Sequence, residues 1–147
     1  RGIALLIIFI NHMPGNVVSE FMKNHPDPGV LAWAESLGEA ELTISVVTVE
    51  EVERGLGRLP AGRRRRELEN VWQSLVKSFA ETIAVYDVAG AQATASILID
   101  AEANGRPMSL ADAQIAGICT ARGWTLATRN VRDFERVPGL TVVNPFR

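Results

Sequence analysis

Cysteine occurs once, at Cys119. A single thiol excludes an internal disulfide and a cysteine-based zinc site, and it fits a reducing compartment. Charge of one sign is also missing. Fifteen Lys and Arg face seventeen Asp and Glu, a formal net charge of −2. No global positive field advertises nucleic acid, so any such binding needs a local basic patch. No apolar run approaches the ~20 residues that span a bilayer. The longest, Ile3 to Ile10, has eight. No internal repeat, low-complexity tract or Ser/Gly linker divides the chain. Its 147 residues, 47% hydrophobic and 22% charged, suit a single domain over residues 1–147 that needs neither disulfides nor a structural metal.

Ile3–Ile10 has the length of a signal-peptide core behind Arg1, but the flank Asn11–Gly15 lacks a small-x-small cleavage site. A β-branched apolar run of this length reads better as a strand buried on both faces of a parallel sheet. Further strand-like runs stand at Leu42–Ser45, Thr82–Tyr86, Thr125–Thr128 and Leu140–Val143. Helical spacing appears over Val17–Lys23, and Pro26 and Pro28 break the chain. It resumes over Val30, Trp33, Ala34 and Leu37, then at Val49, Val52 and Leu56. A helix from Arg63 to Phe79 carries Leu68, Val71, Trp72, Leu75 and Phe79 on one face. Two more run from Asp87 to Asn104 and from Ser109 to Gly123, and Val131–Glu135 forms a helical turn. Strands alternating with helices imply an α/β fold with a mostly parallel sheet. In such sheets, sites form beyond the carboxyl ends of the strands.

Three segments place a capping residue three positions before an acid at an expected helix start: Thr48 to Glu51, Ser109 to Asp112 and Asn130 to Asp133. Each alone is explained as an N-cap with a nearby carboxylate. Jointly they are more informative, because Glu51 and the Asn130–Asp133 turn follow strands directly. If Asp112 converges there, like charges face one another, and a divalent cation relieves the repulsion. Mg²⁺ and Mn²⁺ take oxygen ligands, often one or two carboxylates with water and phosphate completing the shell. Such an ion activates water for displacement at phosphorus. The residues therefore point to a metal-dependent phosphodiesterase site without naming its substrate.

These segments also resemble those of PIN-domain proteins, in particular VapC-like toxins of type II toxin–antitoxin pairs. The resemblance rests on Asn16–Lys23, Val47–Gly55, Leu59–Gly62, Ser109–Ala116, Thr125–Phe134 and Val143–Pro145, in the family's order. It implies a PIN-like three-layer α/β/α fold around a central, mostly parallel sheet. It further implies a Mg²⁺- or Mn²⁺-dependent ribonuclease in the cytoplasm, dimeric, without membrane contact and inhibited by a cognate antitoxin. Glu51 falls on the family's Thr-x-x-Glu acid and Asp112 on its Ala-Asp metal ligand. Asn130 falls where members carry Asp or Asn, with Asp133 one turn on. Asn16 joins this catalytic set, and Ser109, Thr128 and Arg129 the substrate-binding set. The first motif departs from the family. Members read Leu-Asp-Thr-Asn, whereas this chain reads Met13-Pro14-Gly15-Asn16, so Pro14 stands where a metal-binding Asp is expected. Counting from the strand's end instead puts Asn11 or His12 there. The alternative is thus a catalytically impaired PIN-fold module that keeps antitoxin binding.

Arg63–Arg66 is the one dense basic run. It reads as a solvated helix start offset by Glu67 and Glu69, or as a contact for RNA phosphates or an acidic antitoxin segment. Arg129 beside the acids is better placed to pair with a scissile phosphate. Cys119, among Ile115 and Ile118, reads as core packing. A phosphoacceptor receiver domain would need Asp and Lys where Ser45 and Thr128 stand.

Overall fold

Four short parallel strands form one sheet: β1 (Gly2–Leu5), β2 (Glu41–Ile44), β3 (Thr125–Ala127) and β4 (Val142–Val143). This computed structural model describes residues 2–5, 25, 27–36, 41–79 and 83–146. The order is β2-β1-β3-β4, with Ile3 opposite Leu42 on one side and Thr125 on the other. Chain order reverses at β1, so the crevice favoured for ligands in parallel sheets opens at the carboxyl ends of β1 and its neighbours. The expected strand at Ile3–Ile10 is described only over its first part. The expected helix Val17–Lys23 lies outside the described residues.

Parallel neighbours require crossovers; α-helices lie in those from β1 to β2 and from β2 to β3, whereas β3 reaches β4 through a 3-10 turn and loop. The helices are α1 (Pro28–Ser36), α2 (Val46–Gly57), α3 (Arg63–Ser78), α4 (Val88–Ala103) and α5 (Leu110–Arg122). Side chains alternate across a strand, and β3 uses both directions. Leu126 packs with Ile97 of α4 and Ile115, Ile118 and Cys119 of α5, whereas Ala127 packs with Val30 of α1. Helices thus cover both faces of the sheet, the three-layer α/β/α arrangement. A second cluster joins Ile44 of β2 to Val52, Leu56 and Trp72.

Several local expectations change. Pro28 begins a helix rather than breaking one: the Asp27 carboxylate accepts from the Gly29 and Val30 amides at 2.8 and 3.1 Å. Proline suits the first helical position, where no amide partner is needed. Of the strand expected over Thr82–Tyr86, the described residues 83–86 show a single bridge, between Ala84 and Ser45. Ala84 meets β2 where β2 turns into α2, with Ala84 N donating to Ile44 O and Val46 N to Ala84 O. Beyond that point no extended backbone is left to pair with, and Val85 and Tyr86 are exposed. On α3, Trp72 is 1% exposed but Val71 is 40% exposed, because packing against α2 covers only a narrow stripe.

The α4–α5 pair is closed by small residues. Thr94 Oγ1 reaches the Gly90 carbonyl at 2.8 Å and, across the helices, the Ala113 carbonyl at 3.3 Å. A Cβ on Gly117 would collide with Thr94 Oγ1 and lie 2.8 Å from the Gly90 carbonyl. Gly123, at φ 67°, ends α5 in the left-handed region. Alanine normally favours a helix over glycine by about 0.5–1 kcal/mol. At Gly117 overpacking, typically ~1–3 kcal/mol, outweighs it. Gly117→Ala should lower the thermal midpoint, whereas Gly57→Ala, with nothing near its added methyl, should leave it unchanged or raise it. Equal midpoints for the two variants would contradict the close crossing.

Candidate active site

Glu51 reaches the sheet edge from α2, and its helix starts earlier than the Thr48 cap anticipates. Ser45 is the N-cap; its hydroxyl accepts from the Thr48 amide at 3.0 Å and lies 3.0 Å from Thr48 Oγ1. Both hydroxyls are buried. Glu51 is therefore in the second turn, where the stabilising field of a helix start has faded. Ser45 is the positioning residue missed in the sequence. Its signal was the spacing Ser45-Val-Val-Thr48 directly behind a strand. On α5 the expected cap is present: Ser109 Oγ accepts from the Asp112 amide at 3.2 Å, which puts Asp112 in the first turn.

After β3 the chain turns at once. The Asn130 amide donates to Thr128 Oγ1 at 3.0 Å, and a short 3-10 turn, Val131–Asp133, follows. Asn130 does not cap this turn with its side chain, contrary to expectation. Its carbonyl instead accepts from the Asp133 amide at 3.1 Å. Thr128 is 1% exposed, so its hydroxyl shapes the turn rather than facing solvent. The Arg129 guanidinium lies over the Phe146 ring, 4.6 Å from its centre. Met13–Asn16, and with it the proposed Asn16, lies outside the described residues.

Asp112 thus couples to Glu51 on one side and to Asp133 on the other, acids carried by three separate elements. Burial, then Asp133, pushes the Asp112 carboxyl up to about 6, against the opposing hydrogen bond from Ser109. Burial, then Asp112 and Glu50, pushes Glu51 up to about 7, with Arg54 opposing. Glu51 Oε1 is buried without a hydrogen-bond partner. A buried carboxylate oxygen without a donor, beside a second carboxylate, suits a hard divalent cation. Among the described residues no three His, Cys, Asp or Glu side chains are close enough to hold an ion. They supply a pair, and Mg²⁺ commonly uses one or two carboxylates. Cys119 plays no part: burial pushes its thiol up to about 12.

Two partly buried carboxylates on a parallel α/β/α sheet, at the edge where the strands end, define a candidate hydrolase-type metal site. The PIN domain family matches residues 15–140, and the chain belongs to it. The chain is 36% identical over 132 residues to plasmid stability protein StbB of Pseudomonas syringae pv. tomato, and 33% identical to VapC ribonuclease Y4jK of Sinorhizobium fredii. Toxin FitB of Neisseria gonorrhoeae is 32% identical. Each alignment covers 89% of this chain and 94% of the relative. The crystal structure of FitAcB from Neisseria gonorrhoeae superposes with a TM-score of 0.79 at 30% identity, covering 97% of both chains. No helix among the described residues is long and apolar enough to cross a membrane.

The raised carboxyls couple the site to stability. Between the ordinary carboxylate range and about 7, the folded chain holds more protons than the unfolded one. Stability is therefore fully present below that range and is lost as pH climbs through 6 and 7. In EDTA the thermal midpoint should fall between pH 5 and pH 8, and fall less in Glu51→Gln. Adding Mg²⁺ should raise the midpoint more at pH 8 than at pH 5. Identical pH slopes for wild type and Glu51→Gln would refute the shared pocket.

Proposed function

We propose that the chain is an RNA endonuclease dependent on Mg²⁺ or Mn²⁺ and is the toxin of a toxin–antitoxin pair. The observation that carries this reading is the Glu51–Asp112 pair, with its unpartnered buried oxygen, at the sheet edge of a PIN domain. Relatives named as a VapC ribonuclease and as a toxin support the substrate class and the role. A cognate antitoxin protein and a second copy of the chain are the partners that such a toxin implies.

Glu51 and Asp112 would hold the ion, and the ion when bound would supply an activated water and stabilise charge on a scissile phosphate. The chain's own residues set the rest. Ser45 and Ser109 fix the two helix starts, so the carboxylates are held in place before substrate arrives. Thr128 bends the chain at Asn130, and Asp133 on the following turn couples to Asp112. Asp133 adds negative charge that favours cation entry. Arg129, at the rim on Phe146, offers a guanidinium fork suited to phosphate oxygens.

The test is cleavage of a fluorescent single-stranded RNA by the purified chain, in EDTA and with Mg²⁺ or Mn²⁺. Cleavage should require the metal. Asp112→Asn and Glu51→Gln should each lower it by roughly 10²–10³-fold, the scale on which charge stabilisation in active sites acts. Absence of metal-dependent cleavage, with Asp112→Asn changing nothing, would overturn the nuclease reading. What remained would be a PIN-fold module defined by antitoxin binding, in keeping with Pro14 in the first motif.

A further inference from the structure

Six of the fifteen basic residues, all arginines, fall between positions 54 and 66, and no acid interrupts them. They surround the tip where α2 ends at Gly57 and α3 begins at Arg63. Three are committed to neighbours. Arg54 donates to Glu50 at 2.8 Å and Arg63 to Glu67 at 3.1 Å. Arg65 donates to Glu69 and to the Leu59 carbonyl, both at 3.3 Å, which ties the connecting loop to α3. Arg58, Arg64 and Arg66 are exposed and make no ion pair among the described residues. Two of them stand in the first turn of α3, which carries no acid. Positive charge there opposes the helix dipole, so helix stability does not account for it.

The tip also lacks an apolar anchor. No large hydrophobic side chain between 54 and 66 is among the exposed ones, and Leu56 and Leu59 turn into the cluster around Trp72. Protein interfaces depend on aromatic or apolar anchors near their centre, whereas nucleic-acid interfaces are polar and strongly positive. Guanidinium forks match phosphate oxygens. We propose that this tip is a second RNA contact, outside the carboxylate pocket, in which Arg58, Arg64 and Arg66 grip the phosphodiester backbone without reading bases. Its choice of ligand rests on the nuclease reading above. Arg58 lies about 10 Å along the helix axis from Glu51, so one RNA chain can engage both places.

The experiment is equilibrium binding of a fluorescent single-stranded RNA oligonucleotide to the full chain in EDTA, from 50 to 200 mM salt. The variant is Arg58→Ala/Arg64→Ala/Arg66→Ala, checked for an unchanged thermal midpoint. Each phosphate contact on a single strand contributes about 0.7 to the slope of log affinity against log salt. The triple variant should bind roughly 10²–10³-fold more weakly at the lowest salt, with a slope shallower by about 2. The corresponding triple lysine variant should keep the slope. Unchanged affinity and slope in the alanine variant would overturn the proposal, as would a lysine variant as weak as the alanine one. Equally tight, arginine-dependent binding of a polyglutamate peptide would overturn it in favour of an acidic protein partner. Metal-dependent cleavage is scored separately. Cleavage with an unchanged slope removes the tip alone, and arginine-dependent RNA binding without cleavage removes the nuclease reading alone.

Discussion

Two acids that repel one another are held in one partly buried pocket, and much of the surrounding architecture answers to that constraint. Asp112 raises the proton affinity of Glu51 because like charges face one another. The fold must hold Glu51 and Asp112 in place against such a force. Ser45 and Ser109 define where their helices begin. Behind Asp112, α5 is pressed onto α4 through Gly117, Gly90 and Thr94. At the far end of α5, Arg122 donates to the Val85 carbonyl at 3.2 Å, lies 3.6 Å from the Asp87 carboxylate and covers Trp124. These contacts fix where both helices start and how α5 seats on α4, the kind of order that electrostatic preorganisation uses.

Charge is distributed to match. The acids that raise one another's proton affinity gather where the strands end, whereas the arginines crowd the tip of the α2–α3 hairpin. A formal net charge of −2 conceals this separation, because it sums charge over the whole chain. A polyanionic substrate meets repulsion at the carboxylates unless a cation is present and attraction at the arginines whether or not it is. On the proposed function, separating the two would keep substrate capture at the arginines from neutralising the carboxylates that would hold the ion.

Helix boundaries set by glycine or a serine cap were legible in the residues: Ser109 and Gly123 bound α5. So was the alternation that makes a parallel sheet. Errors clustered where a neighbour overrides local preference. Thr82–Tyr86 has strand character, yet among its described residues only Ala84 finds a strand partner, because β2 ends beside it. Thr48 looks like a cap, yet Ser45, one residue after β2, takes that place because the strand dictates where the helix can begin.

The candidate acids Glu51, Asp112 and Asp133 could be picked out in the chain, each behind a capping or turn signal, and such signals are local. Their convergence could not. Sixty-one positions separate Glu51 from Asp112, and no local preference relates them. Only the order β2-β1-β3-β4 brings α2, α5 and the turn after β3 to one edge. Only burial at that edge raises their proton affinities and leaves Glu51 Oε1 without a donor. Residue type is a property of the chain, but proximity and desolvation belong to the packed molecule. They decide whether these acids are ordinary helix caps or a place for a metal ion.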